Sequence, residues 1–437
     1  MSGITDFKRW MRESTTLKLT IIGFLSLILL IPASMISGII REREETSNEV
    51  KKEIAAKWGR EQTITGPILC IPYKLTTVTE KGDYTESIAH AYFLPDILNI
   101  KGKLNPEIRY RGIYKMIVYN ANLNIKGNFP KPDFTDIKAD SNKILWDEAF
   151  LFVGIPDMRG INKTIQINWN EEIKDANPGI KTTDIVNSGV SIPVKLNSDG
   201  LNNYSFNLDL KGSENLFFIP VGKETNITLS SNWKTPSFDG EFLPDERVVD
   251  KNGFTAKWKV LHLNRNYPQH WINDSYEVEN SGFGIKLLFP IDHYQKTNRS
   301  VKYAIMFISL TFLIFFFTEK INKTRIHPVQ YFLVGIALCV FYTLLLSFSE
   351  QIGFTSSYIL SSLMTVGLIS AYAATIFKNT RLTLLMGILL SLLYGFLFTI
   401  LQLEDYSLMM GSIGLFVVLS LIMYMSRKVS WYSGLEE

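Results

Sequence analysis

The chain has 437 residues, of which 46% are hydrophobic and 20% charged, with a formal net charge of +3. That length exceeds one ordinary domain, and so small a charge without any basic block gives no ground for a nucleic-acid partner. Polar and apolar residues are segregated: the middle is rich in Asn, Lys and Asp, and the stretch after Arg299 is mostly apolar.

Residues 1–17 read as a cytoplasmic tail carrying Lys8, Arg9 and Arg12. The run "KLTIIGFLSLILLIPASMISGII" at 18–40 is long enough to cross a bilayer, which takes about 20 apolar residues. It is too long for the apolar part of a signal peptide, about 7–15 residues, and shows no small-x-small cleavage site, so it reads as an anchor. Pro32 is expected to kink this helix without ending it. At 41–58, Val50, Ile54 and Trp58 recur every four residues, which predicts a charged helix with one apolar stripe, stopped by Gly59.

From 62 to 300 the period falls to two. Ile165, Ile167 and Trp169 share one face, as do Tyr204, Phe206, Leu208 and Leu210. The same holds for Ala121, Leu123 and Ile125, and for Phe254, Ala256, Trp258 and Val260. Turn-forming "NSDG", "NPG" and "VDKNG" separate such runs. Half-buried strands without repeated intervening helices predict antiparallel sheets packed as a sandwich or open barrel.

Five more spans follow at 301–318, 329–348, 355–377, 382–401 and 406–425, with a cytoplasmic tail at 426–437. The fold class expected is a membrane protein: a six-helix transmembrane bundle, one N-terminal and five C-terminal spans, plus a large β-rich, sandwich-like domain. Lys and Arg gather at the N-terminal tail, at "EKINKTRIHP", at "KNTR" and after the last span, and the alternate loops "SEQIGFTSS" and "QLEDYS" carry none. Positive charge favours the cytoplasm, which puts the β-rich domain outside. Arg41 and Arg43 go against this locally, as the rule permits before a large domain. Glu350, Glu404 and Asp405 then fall in outer turns. They are either solvated turn residues or contacts to the outer domain or to a cation.

Chemical motifs are scarce. The five histidines, His90, His262, His270, His293 and His327, include no i, i+4 pair and none beside a cysteine, so no metal is expected. Cys70 and Cys339 lie in a polar and an apolar region and read as small apolar residues, not as a disulfide. No phosphate-cradling GxxxxGK is present, and no cofactor is expected. "SNWK" at Ser231 to Lys234 fits S-x-x-K, but its strand-then-turn flanks place the two side chains on no common helical turn, and no K-T-G follows. The spans carry almost no mid-membrane charge, where a transport path keeps it. They carry small residues instead: Gly387, Ser391 and Gly395 form one line, with Gly367 and Ala371 on the preceding span. Such faces serve helix packing or a homo-oligomer seam.

At "HPVQYFLVGIALCVFYTLLLSFSEQIGF" and "LLYGFLFTILQLEDYSLMMGSIGLF" the sequence resembles the CreD family, inner-membrane cell envelope integrity proteins of bacteria. The resemblance continues at "KWGREQTITGPILCIPY", "RYRGIY", "NWKTPSFDGEFLP" and "YQKTNRSVKYAIMF". It implies an inner-membrane protein with a periplasmic domain, a role in envelope integrity and in responses to agents such as β-lactams and colicins, and expression under a two-component system. It implies no catalytic residue. The expected function is therefore non-enzymatic: the periplasmic β-domain binds an envelope component or a membrane-protein partner, and the helices anchor it in the lipid bilayer. Candidate contact residues are Trp58, Gln62, Arg111, His327, Glu350, Glu404 and Asp405. The alternatives are a transporter or lipid-handling protein with a periplasmic adaptor, and a tethered hydrolase using Ser231.

Overall fold

The computed structural model describes residues 15–78, 84–135, 143–197, 200–289, 293–322, 324–403 and 406–427. Two compact units result: Met1–Ser47 with Ile291–Glu437, and Asn48–Pro290.

The first unit is helical: α1 (Thr15–Ile28), the start of α2 (Leu30–Trp58), α3 (His293–Lys302), α4 (Ala304–Ile321), α5 (Pro328–Ile352), α6 (Phe354–Phe377), α7 (Thr380–Gln402) and α8 (Ser407–Ser426). Among the described residues five helical stretches are long and apolar enough to cross a membrane, and α8 adds a shorter apolar stretch, Met409–Tyr424. Large apolar side chains such as Leu363, Leu384, Leu392 and Phe416 are 65–71% exposed on this unit, a surface that suits lipid. Inside, an aromatic cluster including Phe307, Phe341, Tyr358 and Tyr394 packs edge to face.

One turn before Pro32 the helix is interrupted. Proline offers no N–H to Ile28, and one residue, Leu29, drops out of the helix. The ladder resumes at once, because Leu29 N–H donates to Leu25 and Ala33 N–H to Leu29. Several expected boundaries move, the third span's end by four residues to Ile352. The second span starts at Ala304 and runs to Ile321, three residues past the expected end. The segment before it, placed by sequence in the β-rich region up to 300, is the helix α3 and belongs to the helical unit. Its polar "HYQKTNRS" has no apolar run to announce a span.

Among its described residues the second unit holds 17 strands: β1 (Gln62–Val78), β2 (Tyr84–Phe93), β3 (Ile97–Arg111), β4 (Tyr114–Phe129), β5 (Phe150–Gly154), β6 (Gln166–Trp169), β7 (Glu172–Asp175), β8 (Asn177–Pro178), β9 (Gly189–Pro193), β10 (Asn202–Ser213), β11 (Asn215–Phe218), β12 (Glu224–Ser231), β13 (Pro236–Gly240), β14 (Glu246–Asp250), β15 (Gly253–Leu261), β16 (His270–Ile272) and β17 (Phe283–Leu287). One sheet has nine strands among the described residues, with β13-β17-β11-β1-β5-β9-β8 as its main path, β2 branching from β1, and β16 paired to β2. The other has eight in the order β14-β15-β12-β3-β4-β10-β6-β7. Buried residues of both sheets belong to one continuous core, which includes Ile68 and Phe152 of the first and Leu98, Leu123 and Leu208 of the second. The expectation of purely antiparallel sheets is corrected at two pairs: β1 runs parallel to β11, and β3 parallel to β12. Strand partners this far apart in sequence are joined by long crossovers, and local alternation carries no information on direction.

Gly59 ends α2 for a steric reason. It sits at φ +151°, and a Cβ there would come within 2.7 Å of the Lys211 carbonyl oxygen. The expected stripe docks the helix end onto β4: Ile54, Ala55 and Trp58 pack against Met116 and Val118.

Candidate functional site

In the helical unit two clusters join charged side chains to hydrogen-bonding partners on other helices. One is the end of α4. Glu319 is only 3% exposed and forms an ion pair with Lys18 of α1. Tyr331 of α5 donates its hydroxyl to Glu319 at 3.0 Å, and the Ile326 N–H donates at 3.3 Å. Next to it, Lys320 donates to the Thr15 hydroxyl at 2.7 Å. Helices α1, α4 and α5 are thus tied at one point. Sequence reasoning passed over Glu319 because the expected span ended one residue before it. Its partner Lys18 lies 301 positions away, and no local pattern couples the two.

The other place is built around α3. The Tyr294 hydroxyl donates to Glu350 at 3.0 Å. Lys296, 9% exposed, donates to Gln402 at 3.1 Å, and Gln402 donates to Thr355 at 3.4 Å. Arg299 donates to the Leu403 carbonyl at 3.3 Å. Glu350, a candidate for contact with the outer domain, thus has its partner within the helical unit. Glu404 and Asp405 lie outside the described residues. Tyr331 and Glu350 stand 19 positions apart on α5, roughly 28 Å at 1.5 Å per residue. That is close to the hydrocarbon thickness of a bilayer, about 30 Å. The two polar clusters thus stand about one hydrocarbon thickness apart along α5.

His327 caps α5. Its Nδ1 accepts from the Val329 N–H at 3.3 Å, its own N–H donates to Gln330 at 2.9 Å, and Pro328 takes the first helical position. Among the small residues, Gly387 alone is tightly placed: a Cβ there would meet Ser370 Oγ at 3.1 Å. Gly367 and Gly395 face open space, and Ala371 and Ser391 are exposed. Gly387 and Ser391 line an open groove between α6 and α7 with Ser370 and Ala374.

In the β-domain, Trp58 and Arg111 meet in a small surface pocket with Arg109 and Tyr110. Arg109 and Lys211 lie over the Trp58 ring at 4.6 and 4.7 Å, and Arg111 pairs with Glu53. Gln62 is fully buried and donates to the carbonyls of Asp157 and Lys211 at 3.0 and 3.2 Å. These bonds tie β1 to β10 and to the turn at Asp157. Asp157 beside it accepts from the N–H groups of Arg60 and Arg159 and from the Arg159 guanidinium, at 2.8–3.2 Å. Burial would raise its carboxyl, but these hydrogen bonds outweigh burial and hold it below the usual aspartate range. Ser231 Oγ accepts from the Trp233 N–H at 3.2 Å and sits at a strand end. Cys70 and Cys339 are both buried free thiols. Among the described residues no three metal-ligating side chains cluster.

The feature that sequence reading missed is the outward face of the eight-stranded sheet. Register lines its polar residues into three rows. The first runs Lys259, Asn226, Asn99, Lys126, Ser205 across β15, β12, β3, β4 and β10. The second runs Lys257, Thr228, Lys101, Asn124, Asn207, and the third Thr255, Ser230, Lys103, Asn122, Asp209. Amides bridge neighbouring strands within them: Asn226 donates to Asn99 at 3.1 Å, Asn124 to Asn207 at 2.8 Å, and Asn122 to Asp209. The second and third rows line a shallow trough of about 740 Å³. Each strand shows its alternation in sequence. Their alignment depends on the parallel β3–β12 pairing, which sequence does not show.

Apolar helices tied by two polar clusters, together with a two-sheet β-domain, define the class: a multi-pass membrane protein with a large β-rich domain. The family model described as "Inner membrane protein CreD" matches residues 14–432. Inner membrane protein CreD of Escherichia coli (strain K12) is 33% identical over 417 residues, which covers 93% of this chain and 91% of that protein. The chain belongs to the CreD family and is a bacterial inner-membrane protein of the cell envelope. The family is named for its membrane location and not for a reaction.

Proposed function

We propose that this protein is a non-enzymatic envelope-stress and envelope-integrity component whose β-domain stands in the periplasm and binds an envelope component, with both chain termini cytoplasmic. The observation that carries this reading is the three-row polar face: an exposed, ordered array of amides, hydroxyls and ammonium groups. The periplasmic side is supported by the loop charges, since "KNTR" and "EKINKTR" carry bases and "SEQIGF" carries none. A transport role would call for ionisable groups at mid-membrane. The polar clusters described above lie instead near the two ends of α5. A serine hydrolase reading would need an amine on Ser231 Oγ, whose partner is a backbone N–H.

Two measurements test the proposal. Cysteine placed at Asn197, with Cys70 and Cys339 buried and unreactive, should label with an impermeant maleimide in cells with a permeabilised outer membrane. Protection there would refute the periplasmic placement. Asn124→Trp, which blocks the trough, should abolish the protein's contribution to envelope tolerance at unchanged protein level. Full tolerance in that variant would refute binding by this face.

A further inference from the structure

The proposed binding role leaves the ligand open, and the rows narrow it. Amide and hydroxyl groups both donate and accept hydrogen bonds, the chemistry that matches a surface of ligand hydroxyls. Charge on the face is not balanced. Asp209, Glu224 and Glu246 each hold a lysine, Lys163, Lys259 and Lys257 respectively. Lys126, Lys101 and Lys103 have no carboxylate partner among the described residues, and they fall one in each successive row. Successive rows are two residues apart along a strand, roughly 7 Å. No aromatic or large aliphatic side chain belongs to the rows. That argues against a protein partner, whose anchors are aromatic or Arg in packed pockets, and against single-stranded nucleic acid, which stacks on aromatic rings.

We propose, resting on the reading above, that the outward face of the eight-stranded sheet binds an acidic polysaccharide, a polyhydroxylated chain with regularly spaced carboxylates, along the line Lys126, Lys101, Lys103. The amides and hydroxyls of Asn124, Asn207 and Thr228 pair with sugar hydroxyls, and the three ammonium groups pair with successive anions.

The test uses the full-length protein in neutral detergent with three probes: alginate oligosaccharide, maltohexaose and inorganic polyphosphate. Alginate should bind, more weakly as salt rises. Maltohexaose should bind roughly ten-fold more weakly or less, and polyphosphate no better than alginate. Lys101→Gln with Lys103→Gln and Lys126→Gln should weaken alginate binding roughly ten-fold with an unchanged unfolding midpoint, and the matching Lys→Arg variant should retain it. Equal alginate binding by the Gln variant overturns the proposal, as does tighter binding of polyphosphate, which would mean charge alone. If alginate fails to bind while Asn124→Trp still loses envelope tolerance, the ligand class is wrong and the binding face stands. If Asn124→Trp also keeps full tolerance, the face itself is wrong.

Discussion

The two units handle polar groups in opposite ways. The β-domain spreads them over an entire sheet face and keeps its interior apolar, with buried exceptions such as Gln62 and Asp157 held by several hydrogen bonds each. The helical unit presents apolar side chains outward and holds its buried charge in two small clusters, Glu319 with Lys18 and Tyr331, and Lys296 with Gln402 beside Glu350 and Tyr294. The difference follows from the solvent each must face. Water solvates an exposed lysine, and a bilayer core solvates nothing polar, so charge there must find a partner or a rim. Polar residues are consequently cheap on the sheet and costly in the helices, and substitutions should separate the two units on that basis.

The largest effect should come from the β-domain's shared core. Trp169 is 1% exposed, stacks near Phe129 and donates to the Lys195 carbonyl at 2.8 Å. Trp169→Ala should cost about 3–5 kcal/mol, read as a loss of roughly 6–20 °C in the domain's unfolding midpoint. A loss under 2 °C would mean the two sheets do not share one core. Next comes Glu319→Gln, which strands Lys18. Lys18 retains 24% side-chain exposure, so the cost should fall below the full penalty for a broken buried pair, at about 2–3 kcal/mol. Unfolding in detergent measures it, and Lys18→Met with Glu319→Met should recover most of the loss. Failure of the double variant to recover would show that Tyr331 and Ile326, not Lys18, are what Glu319 holds in place.

How much of this was legible in sequence differs between the units in the same way. Period-two alternation located the inward residues of β4, β6, β10 and β15, because a half-wet strand must alternate. It could not show that Lys126 and Lys101 fall in adjacent rows, since that is set by register between strands whose patterns are equally good at other offsets. In the helices, length and hydropathy located the spans. The residues that tie them together, Lys18 to Glu319 and Lys296 to Gln402, are lone polar side chains hundreds or about a hundred positions apart, with nothing local to mark them. The polar helix α3 was hidden for a related reason: it resembles a loop until Glu350, Gln402 and Leu403 are seen to accept its hydrogen bonds.

A middle-sized effect depends on pH. Asp157 titrates below the usual aspartate range when folded, so its carboxylate stabilises the fold above the unfolded value, about 3.9, and that contribution is lost as pH falls through the lower folded value. Asp157→Asn should therefore cost about 1–3 kcal/mol at neutral pH, and the gap to the unsubstituted protein should close below about pH 3.9. A gap that stays constant with pH would assign the loss to geometry instead of charge.

The smallest effect sharpens the reading of the helices' small residues. Gly387 packs its backbone against Ser370, with only 3.1 Å for a Cβ, and Gly395, two turns along the same helix, has nothing within 4 Å. Gly387→Val must displace the Ser370 hydroxyl and should cost about 1–3 kcal/mol by overpacking. Gly395→Val should stay within about 0.5 kcal/mol in the monomer. The same pair of variants separates packing from self-association. If Gly395→Val leaves the unfolding midpoint unchanged but shifts the protein's mass in detergent by light scattering, the open end of the small-residue line is a seam between copies. If neither midpoint nor mass moves, that end of the helix meets only lipid, and close packing is confined to Gly387.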